Sequence, residues 1–205
     1  VARSMESGEE GPGEAEWLKQ SMFEYLFADR LKSLELADGI QRRVTLDQQF
    51  RMHPVLGDLI SRNFYERFDR AERFGSGLPA RNFTHGLTGT SDAPAMWLDV
   101  PSSAGPARRY GTSWTRQAEA DRITAQLREW IETPEGSTLT YGVISFYKAQ
   151  ADQIRQQLRR ELGPVADDDR RVRVGTVDSF QGMEFDVVFL SVVRSIRPDW
   201  VQRGT

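Results

Sequence analysis

The chain has 205 residues, 39% hydrophobic and 28% charged, with a formal net charge of −3, no cysteine and 2 histidines. That size and composition give a folded domain with a core, and exclude a disordered chain, a disulfide framework and a thiolate metal site. No apolar run approaches the ~20 residues that cross a bilayer and no signal-peptide pattern opens the chain, so the expectation is a cytoplasmic, intracellular protein with no membrane partner whose nucleic-acid contacts, if any, are local or shared with protein outside this chain.

Residues 1–16, "VARSMESGEEGPGEAE", read as a flexible acidic lead-in, and residues 17–205 as one domain. From Trp17 to Leu36, apolar residues at helical spacing (Leu18, Met22, Tyr25, Leu26, Leu31) predict a helix. "RRVTLDQQF" (42–50) reads as a strand running into a loop, and Pro54 as the first turn of a helix to Phe68. Residues 69–95 read as surface loop, "AMWLDV" as a strand and "SSAGPARRYG" as another loop. Ser113 is placed to cap a helix through Glu132, with Ala118, Ile123, Leu127 and Trp130 or Ile131 on its buried stripe. "TYGVISF" reads as a strand, "KAQADQIRQQLRREL" as a helix and "GPVADDDRR" as a solvated charged turn. "VRVGTV" and "DVVFLSVV" read as strands, the second apolar enough to be buried on both faces. Strands alternating with helices define an α/β, doubly wound, mainly parallel sheet with helices on both faces.

Polar residues cluster where strands end, which is where open parallel sheets bind ligands. In "TVDSFQGME" (176–184) Asp178 is placed to cap a helical turn with Gln181 at its third position, and Gly182 lets backbone approach a ligand. A phosphate near Thr176 and Asp178 to Phe180, including Ser179, and a sugar near Glu184 fit that pattern; so does a capped structural turn. "TLDQQFRMHP" (45–54) sets Phe50 beside Arg51: an aromatic face stacks on a nucleobase, and a guanidinium matches phosphate geometry. His53 reads as a hydrogen-bonding group at a helix start. "VISFYKAQ" (143–150) offers Ser145, Lys148 and Gln150. The expectation is that these boxes line one rim of one sheet.

"LDQQFRMHP", "GTSWTRQAEADRI", "VISFYKAQ" and "VGTVDSFQGMEFDVVFLSVVRS", in this order, resemble the second RecA-like domain of superfamily 1 helicases, in the branch that includes the nonsense-mediated-decay RNA helicase and its DNA-helicase relatives. "SMFEYL" (21–26) resembles the segment before the arginine motif in that group. The resemblance implies a RecA-like fold of the P-loop NTPase type, and a role as the second motor domain of an ATP-dependent helicase or translocase. It implies Arg51 as an arginine finger on the γ-phosphate, Phe50 by the adenine, and Gln48, Gly182 and Glu184 among the nucleotide contacts. It places Ser145, Thr176, Ser179 and Lys148 at or near the backbone of single-stranded DNA or RNA. The family usually has tyrosine where Phe50 stands, so stacking is kept and a hydroxyl contact is not. Arg194 follows the last strand, where structural coupling is expected.

No G-x-x-x-x-G-K-[ST] phosphate loop and no acidic Walker-B box precede Leu46. The resemblance assigns both, and the Mg²⁺ that accompanies ATP, to a first RecA-like domain of the same polypeptide. It also expects a final arginine motif after residue 195. The chain therefore reads as one domain of a longer protein. A rival reading is a RecA-like module that binds nucleic acid or a partner without hydrolysis; a small-molecule nucleotide enzyme leaves Phe50–Arg51 and the Ser145 box without a joint explanation. Backbone contacts do not read bases, so DNA and RNA stay equally open.

Overall fold

The structure, a computed structural model, describes residues 21–67 and 72–194; the acidic lead-in read over 1–16 lies outside them. The chain divides into two compact units, Val1–Asp47 and Gln48–Thr205.

In the first unit a helical turn (Met22–Glu24) and a wider π-turn (Tyr25–Arg30) lead into α1 (Leu31–Asp38). Gly39, at φ 71°, ends α1 and donates its N–H to Glu35 O at 2.9 Å. The strand expected from Arg42 does not form. Its N–H groups are taken by a side chain: Glu35 Oε1 accepts from Arg42 N at 2.6 Å and Arg43 N at 2.8 Å. The guanidiniums close the same clasp, Arg43 on Glu35 at 2.6 Å and Arg42 on Asp38 at 2.5 Å. The Arg43 guanidinium holds the Glu35 carboxyl down to about 2, and Arg42 does the same for Asp38, also to about 2.

The second unit opens with β1 (Gln48–Gln49), which runs into α2 (Pro54–Ile60) and a π-turn (Ser61–Tyr65), then pairs in parallel with β2 (Gly75–Ser76). His53 caps α2, its Nδ1 accepting from Val55 N at 3.2 Å, the role expected for it. Residues 95–100, expected as a strand, form none; Trp97 is exposed, and the carbonyls of Val100 and Pro101 accept from the Arg116 guanidinium instead of a neighbouring strand. The loop expected over 102–111 contains half of an antiparallel hairpin, β3 (Arg108–Tyr110) with β4 (Ser113–Thr115). Ser113 is therefore a strand residue and not the cap of the next helix, α3 (Gln117–Ile131), whose N-cap position is Arg116.

The main sheet is three-stranded, all parallel, in the order β6-β5-β7: β5 (Tyr141–Ser145), β6 (Val172–Thr176) and β7 (Val187–Ser191). Helix α4 (Lys148–Leu162) crosses from β5 to β6. Period-2 alternation sends Tyr141 and Val143 of β5, Val172 and Val174 of β6 and Phe189 of β7 to one core. There they meet Ile123, Leu127 and Trp130 of α3 and Ile154 and Leu158 of α4. Burial pushes the Tyr141 hydroxyl up to about 12, and it donates to Gly136 O at 2.9 Å. On the other face the link from β6 to β7 passes over β5, with the rings of Phe180 and Phe185 (centroids 5.4 Å apart) over Gly142. Beyond those rings Val188 and Leu190 are exposed, so β7, an edge strand, is not buried on both faces as its composition implied.

Candidate functional site

The box after β1 is organised by Gln49, which the sequence did not single out. Its Oε1 accepts from the N–H groups of Arg51 (2.9 Å) and Met52 (2.8 Å), and its Nε2 donates to Met52 O (2.8 Å) and Ser76 Oγ (2.6 Å). One amide thus fixes the turn that carries Phe50 and Arg51, and ties it to β2. The Phe50 ring lies against Gly77, where any β-carbon would overlap it, while 60% of Phe50 stays exposed. Gln48, expected at the nucleotide, is exposed on β1.

Arg51 reaches across the sequence to Glu184, Nε to Oε1 at 2.6 Å. Both side chains are more than half exposed, at 58% and 62%. The first and last boxes, 133 residues apart, therefore meet. They do so away from a common rim: β1 belongs to the small β1–β2 sheet, not to β6-β5-β7. Gly182, at φ 79°, makes the turn before Glu184 in a conformation that residues with a side chain resist.

The capping box expected in 178–181 is not formed. The helical turn is a 3₁₀ turn, Val177–Phe180, with Thr176 at its N-cap position and Gln181 closing it through Gln181 N to Asp178 O at 3.4 Å. Asp178 lies inside the turn. A turn this short has little macrodipole, so it offers an anion less than the sequence promised. Ser179 is exposed, but its hydroxyl donates back to Thr176 O at 2.7 Å.

Thr176 and Ser145 are neighbours at the carboxyl rim of the sheet, paired in register, with Ser191 opposite on the other side of Ser145. Ser145 is buried, and its hydroxyl is used in both directions: it donates to Ser191 O and accepts from Tyr147 N, each at 3.2 Å. Its side chain thus fixes the rim and presents no free face. Phe146 and Lys148 stand exposed beside it, Lys148 in an ion pair with Asp152 at 2.6 Å.

A buried polar network backs this rim. Gln150 accepts from Arg116 N (2.7 Å) and donates to Arg116 O and Ser191 Oγ, both at 3.1 Å. Glu119 accepts from Ser191 Oγ (2.8 Å), Val193 N (2.9 Å) and Arg116 Nη1 (3.2 Å). Val193 takes φ 67°, a conformation costly for a β-branched residue, and the next residue, Arg194, lies over the Trp114 ring at 5.3 Å. The cleft between α3 and α4 is lined by Gln117, Gln153 and Gln157, bonded to one another or to nearby carboxylates, and by none of the candidate residues. Among the described residues no cluster of three or more His, Asp or Glu is placed to hold a metal ion.

A parallel α/β sheet flanked by helices is the architecture of a RecA-like domain. The chain belongs to the AAA domain family, matched over residues 18–202, and within it to the C-terminal helicase domain of superfamily 1 helicases. It is 30% identical over 189 residues to the regulator of nonsense transcripts 1 homolog of Arabidopsis thaliana, covering 87% of this chain and 13% of that protein. To the ATP-dependent helicase upf1 of Schizosaccharomyces pombe it is 30% identical over 195 residues, 87% of this chain and 18% of the relative. To helicase SEN1 of Saccharomyces cerevisiae it is 25% identical over 154 residues, 73% of this chain and 7% of the relative. The chain spans less than a fifth of the length of these curated relatives.

Proposed function

We propose that the chain is the second motor domain of an intracellular ATP-dependent helicase or translocase that moves on single-stranded DNA or RNA, with ATP and Mg²⁺ held mainly by a first RecA-like domain of the same polypeptide. The observation that carries this reading is the meeting of Arg51 with Glu184 beside the open ring of Phe50. Phe50 offers a stacking face for the adenine, and Glu184 and the Gly182 backbone offer acceptors and donors to the ribose edge, with Gln48 nearby in sequence. Arg51, a fixed cation on a mobile stem, exchanges Glu184 for the γ-phosphate and steadies charge on the transferring group. Thr176 and the exposed residues Lys148 and Ser179 serve the strand at the sheet rim, with Ser145 positioning that rim from below.

The test is ATP hydrolysis by the full-length protein with and without single-stranded oligonucleotide. Hydrolysis is expected to rise with added strand. Thr176→Ala is expected to weaken strand affinity by the value of one hydrogen bond, roughly 0.5–1.5 kcal/mol, alike on every base sequence. Strand-independent hydrolysis, or no hydrolysis with intact strand binding, would favour the non-hydrolysing binding module.

A further inference from the structure

The β3–β4 hairpin has no part in the reading above, yet its surface is unusual for a chain of formal net charge −3. All of β3, Arg108, Arg109 and Tyr110, is exposed, Tyr110 to 74%. Neither arginine has a carboxylate partner among the described residues; Arg109 Nε donates only to Gly111 O, at 3.1 Å. Exposed arginines without counter-charges beside an exposed aromatic ring carry the chemistry of a phosphate-and-base contact.

The hairpin is fixed to the rim where Thr176 and Lys148 lie. Ser113 Oγ accepts from Ala149 N, in the first turn of α4, at 3.2 Å. Paired residues of an antiparallel ladder share a face, so Tyr110, paired with Ser113, lies on the side of the hairpin turned to the start of α4. Arg108, two residues before Tyr110, shares that face, while Arg109, paired with Trp114, points to the opposite one, where Arg194 lies on the Trp114 ring. The root of the hairpin is rigid: Arg116, buried, donates to the carbonyls of Gly105, Val100 and Pro101 while its backbone is held by Gln150. An exposed cation and an exposed ring, Arg108 and Tyr110, therefore stand on the hairpin face turned to the start of α4.

We infer that the β3–β4 hairpin is an accessory contact for single-stranded nucleic acid, with Arg108 on a backbone phosphate and Tyr110 stacked on a base. This rests on the proposed function, since it extends the same strand track. Stacking and phosphate contacts serve DNA and RNA alike, and an acidic protein segment would use the arginine but not the ring.

Fluorescence anisotropy of the full-length protein with labelled oligo(dT) and oligo(U), over a series of salt concentrations, tests it. Arg108→Ala is expected to flatten the plot of log affinity against log salt by about 0.7, the value of one phosphate; Arg108→Lys should keep the slope, and Arg109→Ala, on the opposite face, should flatten it less than Arg108→Ala. Tyr110→Ala is expected to lower affinity by about five-fold or more with the slope unchanged, and Tyr110→Phe to restore it. Strand-free ATP turnover should be the same in all, which also shows that they fold. Loss on one oligonucleotide only assigns the contact to that polymer. If the wild type binds strand and every variant matches it in affinity and slope, this inference is overturned and the proposed function stands. If Arg108→Ala loses slope but Tyr110→Ala changes nothing, the hairpin is a general cationic surface and the inference is likewise overturned. If the wild type binds neither oligonucleotide, both fall.

Discussion

At the scale of single residues, the arrangement around Arg51 is informative because it is weak. An ion pair between side chains this exposed contributes about 0–1 kcal/mol to stability. Gln49 spends its whole amide on holding the turn that presents Arg51 and Phe50, so the geometry is maintained without the pair. Glu184→Gln is therefore expected to leave thermal stability within about 1 kcal/mol of wild type. Strand affinity measured without nucleotide should also be kept, while nucleotide affinity or turnover falls. Titration calorimetry with a non-hydrolysable ATP analogue and anisotropy with labelled strand separate the two; an equal loss of both would return residues 176–184 to a structural turn.

At the scale of elements, the network of Arg116, Glu119, Gln150 and Ser191 joins the starts of α3 and α4 to the end of β7. Its ion pair is nearly enclosed, the Arg116 side chain 4% and the Glu119 side chain 12% exposed. Breaking such a pair from one side leaves an uncompensated buried charge. Glu119→Ala is accordingly expected to cost about 3–5 kcal/mol in denaturant unfolding, and to release Val193 from its strained turn; a loss below about 1 kcal/mol would mean that the three carbonyls on Arg116 suffice alone. The sequence showed some of this and hid the rest for physical reasons. β5, α4, β6 and β7 were legible because alternation, helical spacing and β-branched runs all agreed there. The strand expected at Arg42 failed because Glu35 captured its N–H groups, and the one expected over 95–100 because Arg116 captured its carbonyls. Such side-chain capture leaves no periodic trace. The hairpin was missed because its strands are short, three residues each, and β3 is wholly exposed while β4 is only half-buried. Phe50, Arg51 and Glu184 were legible as types of residue; that Arg51 meets Glu184, and that Ser145 points inward, depended on packing that only the fold supplies.

At the scale of the whole molecule, the open position of Phe50, Arg51 and Glu184 fits a site shared with another domain. Residues 1–205 contain no G-x-x-x-x-G-K-[ST] phosphate loop, which accords with the proposal that the nucleotide is held mainly by another domain. The central claim is that Arg51 acts on the transferring phosphoryl group and not merely on bound nucleotide. The direct measurement is single-turnover ATP hydrolysis by the full-length protein bearing Arg51→Ala, set beside its affinity for ATP. Removal of an arginine finger is expected to slow hydrolysis by about 10³-fold or more while affinity changes little, and Arg51→Lys to recover only a small part because an ammonium lacks the planar fork. Hydrolysis near the wild-type rate in Arg51→Ala would contradict the account and leave Arg51 as a surface partner of Glu184.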